Sequence, residues 1–596
     1  MSINNRMNSY FLIQLHNRIK QQLPEYVAKS LYKTIPVSFL LSIIEVLSLS
    51  SLFPIINMII HQEQIRENRI LWFIYQNFGF STNARFILAM LMLVIVLFIL
   101  KNIAVFYFSK FQITTFYKTA EMLVLEKYRF YMNMPYSQHV DSNSSALLRN
   151  VSQIPYEFVN GVLMPFSGVI TEILAILLLA VSILIYNPLL FISLVGVLFP
   201  LVYLYNKLHK KKLEDLSKKR DSESLNLYKQ VSQSFEGIRE FIIFDKKEYF
   251  FKTLKTTVSN FTKINSDAFL ISYISPKIVE TVAVFAIFMV FFIGFIQGQA
   301  VDKIASVLVL YSIALYRLIP SINKILLSLN NIRICDYTFQ YMKVEQEIHF
   351  ADSDSLTEIK FENKISVENV SFKYPGADKL ILEEINLDIK KGSTVGIIGP
   401  SGSGKSTLLN IFLRLFEENS GSVLVDEEKI SKKNVKALYK LMGYVPQNIT
   451  IIEGSLLENI AFGVERNLVD ENLLKNVIQK AQLSAFFKEL PEGLNTQLGE
   501  RGVKISGGQK QRIGIARALY HRAQILIFDE ATSALDYETE EALTESIRSI
   551  SHKEITIVIV AHRLQTLKYC DYIYKLKDGK LDTRAFNYEE IISERT

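Results

Sequence analysis

The chain has 596 residues, too many for one ordinary hydrophobic core, so at least two domains are expected. Hydrophobic residues make up 49% and charged residues 21%, a balance that argues against a fully soluble protein and for a membrane portion. The net charge of +7 sits in lysines that cluster where apolar stretches end, which reads as basic loops beside a membrane and not as a nucleic-acid surface; with only Cys335 and Cys570, a disulfide framework and a zinc site are both excluded.

The first thirty or so residues are polar and basic, so no cleaved signal peptide is expected. Six apolar stretches follow, at about Ile35–Ile60, Phe86–Phe108, Val162–Tyr186, Leu189–Tyr205, Ala268–Ile296 and Ile304–Leu326. Each is long enough to cross a hydrocarbon layer of ~30 Å, which takes roughly 20 helical residues. The third and fourth are separated only by Asn187-Pro188, a tight turn, and the fourth, being the shortest, is expected to run on into a helix in water. Arg6, Arg18, Lys20, Lys29 and Lys33, and the run from Lys207 to Arg220, put these flanks on the cytoplasmic side. The lysine run itself reads as a solvated helix face at the headgroups and not as a specific lipid site. Ser109–Val159 and Asn206–Asp267 then lie in the cytoplasm, where their mixed periodicity predicts helical extensions of the spans.

Five charged residues fall in or near these stretches: Glu45, Lys101, Glu172, Glu280 and Arg317. A charge at membrane depth faces a cavity or a partner. Lys101, near a span end, can snorkel to the interface. Glu45 and Arg317 lie deeper, where Arg317 can receive an anionic group; the alternative is an Arg317–Glu pair that only fixes helix packing.

Hydrophobicity falls after Leu326. The expected division is a transmembrane domain over 1–335, a polar linker over 336–363 and an α/β nucleotide-binding domain over 364–596. In the last of these, GPSGSGKS fits the phosphate-loop pattern G-x-x-x-x-G-K-[ST], between a predicted strand at Thr394–Ile398 and a predicted helix at Leu408–Leu415. Gly399, Pro400, Ser401, Gly402, Ser403, Gly404, Lys405, Ser406 and Thr407 form the candidate nucleotide cradle: glycines for close backbone approach, Lys405 for the outer phosphates, the Ser406 hydroxyl for Mg²⁺. Gln447 ends a predicted strand; ISGGQKQR opens a helix at Ile505; Asp529 and Glu530 emerge from the apolar run Ile525–Phe528; and His562 ends the run from Ile557.

In that order and spacing these segments closely resemble the ATP-binding cassette (ABC) family, whose signature is matched by ISGGQ just ahead of DEATSALD. The resemblance implies ATP and Mg²⁺ as cofactors and assigns roles. Tyr374 stacks on adenine. Ser406, Gln447 and Asp529 serve the metal, and Gln447 also senses the membrane domain. Glu530 is the general base, and His562 holds the γ-phosphate and the attacking water. Ser506, Gly507, Gly508 and Gln509 meet the γ-phosphate held by the opposite subunit, Ser533–Asp536 cross the dimer interface, and TQLGERG from Thr496 touches coupling helices. Those helices are expected in DSNSSALLRN, near Asp141, and EGIRE, near Glu236. Six spans followed by one cassette is the arrangement of ABC exporter half-transporters, which implies an ATPase that works as a homodimer, a multi-pass membrane protein of a bacterial inner membrane with both termini cytoplasmic, and no nucleic-acid partner. SIIEVLSLSSLFPII and YSIALYRLIPSINKI also resemble the first and last spans of bacterial flippases for lipid-linked oligosaccharides, and because those two spans often flank the translocation cavity in the family, the resemblance makes Glu45 and Arg317 the candidates for a substrate path. Export of a peptide, lipid or drug is the alternative. A regulated channel or receptor-regulating subunit is less compatible, because it tends to carry extra spans or degraded ATPase motifs.

Overall fold

In the computed structural model the described residues are 11–51, 69–186, 188–297, 301–343, 358–499, 505–530, 555–582 and 586–593, with isolated positions between them. They form two compact units, residues 1–134 with 141–348 and residues 135–140 with 349–596.

The first unit is helical. A short amphipathic helix, α1 (Phe11–Gln22), precedes α2 (Glu25–Ser50), α3 (Asn83–Met132), α4 (Met164–Tyr186), α5 (Pro188–Glu236), α6 (Lys247–Ile296) and α7 (Val301–Ile334). α1 buries Leu15 and Ile19 and is tied by Arg18 to Asp336 at 2.6 Å; nothing in its polar composition announced it. α2 packs on α3 and α4, and α7 packs on α4, α5 and α6. The second, fourth, fifth and sixth expected spans lie within α3, α5, α6 and α7; the third begins in the turn before α4, and the first begins inside α2, which starts ten residues earlier than expected, at Glu25, and ends at Ser50, most of residues 51–60 lying outside the described residues. Four helices among the described residues are long and apolar enough to cross a membrane, not six: Glu25–Ser48, Asn83–Met132, Ile154–Ile185 and Lys247–Met289. The other two expected spans lie in α5 and α7, whose apolar parts include side chains outside the described residues.

α3, α5 and α6 run on without a break well past their apolar stretches. At 49 or 50 residues each, they run about 75 Å at 1.5 Å per residue, more than twice a hydrocarbon core. Only 11% of the apolar window of α3 is buried inside the chain. A helix whose backbone groups are all satisfied internally is the element that tolerates such an apolar surface in lipid.

A π-helical turn, Val159–Leu163, interrupts the helix that leads into α4. There Gly161 lies so close to Cys335 that an added Cβ would sit 2.3 Å from its sulfur and 2.6 Å from its Cβ. The thiol is buried, which pushes it up to about 11 and keeps it protonated. Because Cys335 Cβ is itself in the way, Gly161→Ala forces the two helices apart. It should cost about 1–3 kcal/mol, seen as a lower melting temperature of the detergent-solubilised protein.

The second unit holds two sheets. One is antiparallel, in the order β2 (Leu382–Lys390), β1 (Lys364–Phe372), β4 (Ser420–Val425), β5 (Glu428–Lys429). The other runs β10 (Lys580–Leu581), β9 (Tyr572–Lys577), β3 (Thr394–Ile398), β8 (Thr556–Ala561), β7 (Ile525–Asp529), β6 (Met442–Val445), and from β9 to β6 it is parallel. Every residue of β3 and β8 is buried, as continuous apolar strands of a parallel sheet require. Helix α8 (Lys405–Phe412) follows β3, and α9 (Gly507–Tyr520) precedes β7. The short helix Tyr136–Asp141 supplies the segment from the first half: Tyr136 packs edge-on against Phe416, ring centroids 5.9 Å apart.

Candidate functional site

Register decides the site. Ile398 of β3 lies opposite Ala561 of β8, Asp529 of β7 opposite Val560, and Val445 of β6 opposite Phe528. The carboxyl ends of four adjacent strands therefore share one edge. The phosphate loop leaves β3 there, His562 follows β8, Asp529 and Glu530 end β7, and Gln447 follows β6 by two residues. In open α/β sheets that edge is where ligands bind.

The loop between β3 and α8 is built for backbone approach. Gly404 has φ +103°, a conformation side chains rarely adopt, and a Cβ on Gly399 would lie 2.1 Å from the carbonyl oxygen of Leu576. Lys405, only 5% exposed, donates to the carbonyls of Gly399 and Pro400, both at 3.0 Å. Burial pushes its ammonium below the usual lysine range, and the charges of Glu530 and Asp529 oppose that shift. Ser403 Oγ is buried without a partner. An ammonium folded onto loop carbonyls and an orphaned hydroxyl fit a cradle whose natural occupant is an anion, and Ser406, Gln447 and Asp529 offer the hard oxygen donors that magnesium prefers.

Glu530 has φ +50°, unusual for a residue with a side chain, and its N–H is held by the Val560 carbonyl at 2.9 Å. The turn brings its carboxylate to His562, with Nε2 to Oε1 at 2.8 Å. Asp529 is raised above the usual carboxylate range, first by burial and then by Glu530, against the Tyr444 hydrogen bond and Lys405. Tyr374 follows β1; its hydroxyl is 3.1 Å from that of Thr407, and its ring meets Phe372 and Phe416 edge-on.

Ser506 caps α9. Its side chain accepts from the Gln509 N–H while the Gln509 side chain accepts from the Ser506 N–H, a reciprocal capping box. Gly507 and Gly508 form the first turn. α8 and α9 belong to different packed cores, α8 with β1 and β2, α9 with the helices around Leu474 and Val477. The second core is tied to the Gln447 segment: Gln511 donates to the Gln447 carbonyl at 2.9 Å, and Arg517 to those of Asn459 and Thr450. Ser533–Asp536 lie outside the described residues, as do two residues of the segment from Thr496. The six residues grouped with the cassette, 135–140, immediately precede the expected coupling segment near Asp141, whereas Asn143 caps a helix of the first unit, as the acceptor for Ser145 and Ala146 N–H.

In the first unit Arg317 of α7 is paired with Glu45 of α2 and, at 3.2 Å, with Glu172 of α4. Lys324 meets the other Glu172 oxygen at 2.8 Å, and Ser321 donates to the first, also at 2.8 Å. Two carboxylates and two cations thus cancel across three helices. Glu172 is 4% exposed and Lys324 58%, so the lysine is the accessible member. Lower in the same unit a cavity of about 520 Å³ is lined by Gln153, Glu157, Asn160, Arg220 and Asn331, a polar pocket that no sequence motif marks.

Comparison with known proteins adds two family matches: "ABC transporter" over residues 382–533 and "ABC transporter transmembrane region" over residues 38–317. The ATP-dependent lipid A-core flippase 2 of Colwellia psychrerythraea is 31% identical over 416 residues, 68% of this chain and 69% of that protein. The mitochondrial iron-sulfur clusters transporter ATM1 of Candida albicans is 45% identical over 219 residues, 37% of this chain and 29% of that protein. A bacterial Atm1-family ABC exporter solved with ATP bound has the same fold, with a TM-score of 0.74 at 19% identity over 96% of this chain and 97% of that one.

Two expected outcomes check the sites. Glu530→Gln should reduce ATP turnover by at least about 100-fold, at the low end of what a general base contributes, while a fluorescent ATP analogue still binds; Lys405→Ala should weaken that binding instead. Arg317→Ala leaves the buried Glu172 and the half-buried Glu45 short of a cation, and should lose about 3–5 kcal/mol of stability. Arg317→Met combined with Glu45→Gln and Glu172→Gln should recover most of the melting temperature, because the exposed Lys324 can remain hydrated.

Proposed function

Since the chain belongs to the ABC transporter family, as a half-transporter that fuses a membrane domain to an ATP-hydrolysing cassette, we propose that it is a homodimeric exporter or flippase whose leading substrate class is a lipid-linked oligosaccharide. The observation that carries the ATPase part is the shared strand edge, where the phosphate loop, Asp529, Glu530 and His562 meet. In the mechanism, Lys405 exchanges its carbonyl partners for phosphate oxygens. Glu530 accepts a hydrogen bond from the attacking water and takes its proton. His562, held at Glu530, keeps carboxylate and water in line with the γ-phosphate. Magnesium, held by Ser406 and Asp529 with Gln447 close by, would neutralise charge on the outer phosphates. Tyr374 offers its ring to adenine.

The homodimer reading rests on the separation of α8 and α9 into different cores. A capped helix N-terminus with two glycines is an anion site that lacks its anion's other partners, and a second copy supplies them. Closure of two cassettes on ATP and reopening after hydrolysis would then drive alternating access of a membrane domain with six spans, α2 to α7. The basic flanks support cytoplasmic termini and an inner-membrane location.

For the substrate, the 416-residue likeness to a lipid A-core flippase is longer than the 233-residue cassette expected at 364–596, so it reaches into the membrane half. The 219-residue likeness to the iron-sulfur clusters transporter is no longer than a cassette and carries no argument about cargo. A lipid with a sugar-phosphate head suits a path in which Lys324, and Arg317 once its carboxylates release it, offer cations at membrane depth. Export of a peptide or drug is the second reading.

Proteoliposomes loaded with a fluorescent lipid-linked sugar should lose it from the accessible leaflet only with ATP. Equal rates without ATP, or stimulation of the ATPase by peptides alone, would remove the lipid reading. Mixing Ser506→Arg with Lys405→Ala subunits leaves one intact site per mixed dimer; the mixture should regain part of the activity each lacks alone, and full turnover by a proven monomer sinks the shared site.

A further inference from the structure

Tyr444 has no part in the scheme above. It lies on β6, three residues before Gln447, and in the parallel register it faces Ile527 of β7. Its side chain leans along the strand toward the sheet's carboxyl edge, and its hydroxyl donates to Asp529 Oδ2 at 3.1 Å. Its neighbour Val445 is fully buried and paired with Phe528, so the strand cannot carry the phenol away from Asp529 without disturbing the core. Asp529 is thereby held from outside by a residue of the strand that also delivers Gln447.

We propose that Tyr444 is a positioning residue for the magnesium ligand Asp529, fixing the carboxylate's rotation so that its remaining lone pairs meet the metal. This rests on the reading of the strand edge as the nucleotide–metal site. The physical reason is the freedom of a carboxylate at a strand end, which turns about its last bond at little cost. A carboxylate has about four lone-pair directions, and the phenol takes one of them, leaving the others for the metal and its waters. Groups that hold a metal's ligands typically matter 10–100-fold for metal affinity. The phenol is also a hydrogen-bond donor with no negative charge, so it orients Asp529 without repelling it or displacing a second ligand.

The test uses the full-length protein in detergent with Glu530→Gln, so that bound ATP is not consumed. Mn²⁺ serves as the probe, and its binding is followed by electron paramagnetic resonance at saturating ATP. Tyr444→Phe keeps the ring and the strand and removes only the donor. It should raise the Mn²⁺ concentration for half-saturation about tenfold, while ATP affinity measured in EDTA stays within about twofold of the parent. That split separates positioning of the metal ligand from a general loss of fold, which would weaken both. Unchanged or tighter Mn²⁺ binding in Tyr444→Phe, or an equal loss of metal-free ATP binding, overturns the role of Tyr444 alone. No ATP-dependent Mn²⁺ signal in the parent, matched by none in Asp529→Asn, overturns the nucleotide–metal reading of the edge and the role of Tyr444 with it.

Discussion

The parallel register of β3, β8, β7 and β6 is the constraint on which the cassette depends. Four segments that are far apart in sequence end at one edge only because the strands run the same way and start in step. A shift of one residue in β7 against β8 would turn Asp529 to the other face and separate Glu530 from His562. The buried strands oppose any such slip, since every residue of β3 and β8 is enclosed and a slip would have to repack the side chains on both faces. Catalytic precision here is a by-product of sheet packing.

A second division follows from the cores. The parallel strands are common to two packed cores: one of their faces meets α8, β1 and β2, the other meets α9 and the helices beyond the Gln447 segment. To the apolar packing of α9 on the strands are added polar ties: side chains of Gln511 and Arg517 reach backbone carbonyls of Gln447 and of Asn459. α8 and α9 thus lie on opposite faces of one sheet, and Gln447 is tied to the α9 side.

How much was legible in the sequence depended on how local each feature is. The phosphate loop, Asp529, Glu530 and His562 could be read because their chemistry is written into short runs at strand ends. The long extensions of α3, α5 and α6 were legible because periodicity persists past the apolar windows. An Arg317–Glu pair was legible but not which glutamate: Glu45 and Glu172 were both visible as acids in apolar stretches, and only packing of α2, α4 and α7 shows that one guanidinium serves both. Tyr444 left no signal at all, since a tyrosine in a strand reads as ordinary packing. α1 escaped notice because its apolar residues, Leu15 and Ile19 among them, are set in a stretch that is polar and basic as a whole, and the break in the chain's grouping at residues 135–140 follows from contacts and not from composition.

The long helices have a mechanical side. α3 contains neither proline nor glycine from Asn83 to Met132, whereas α5 carries Pro200 and α6 carries Pro276 within the helix. A proline removes one backbone hydrogen bond and gives its helix a place to bend; α3 has no such place. An unbroken rod of about 75 Å that tilts by about 5° moves its far end by roughly 6 Å, about one helical turn. Of the three, α3 is the one suited to work as a stiff lever, which turns a small rotation at one end into a displacement large enough to repack side chains at the other.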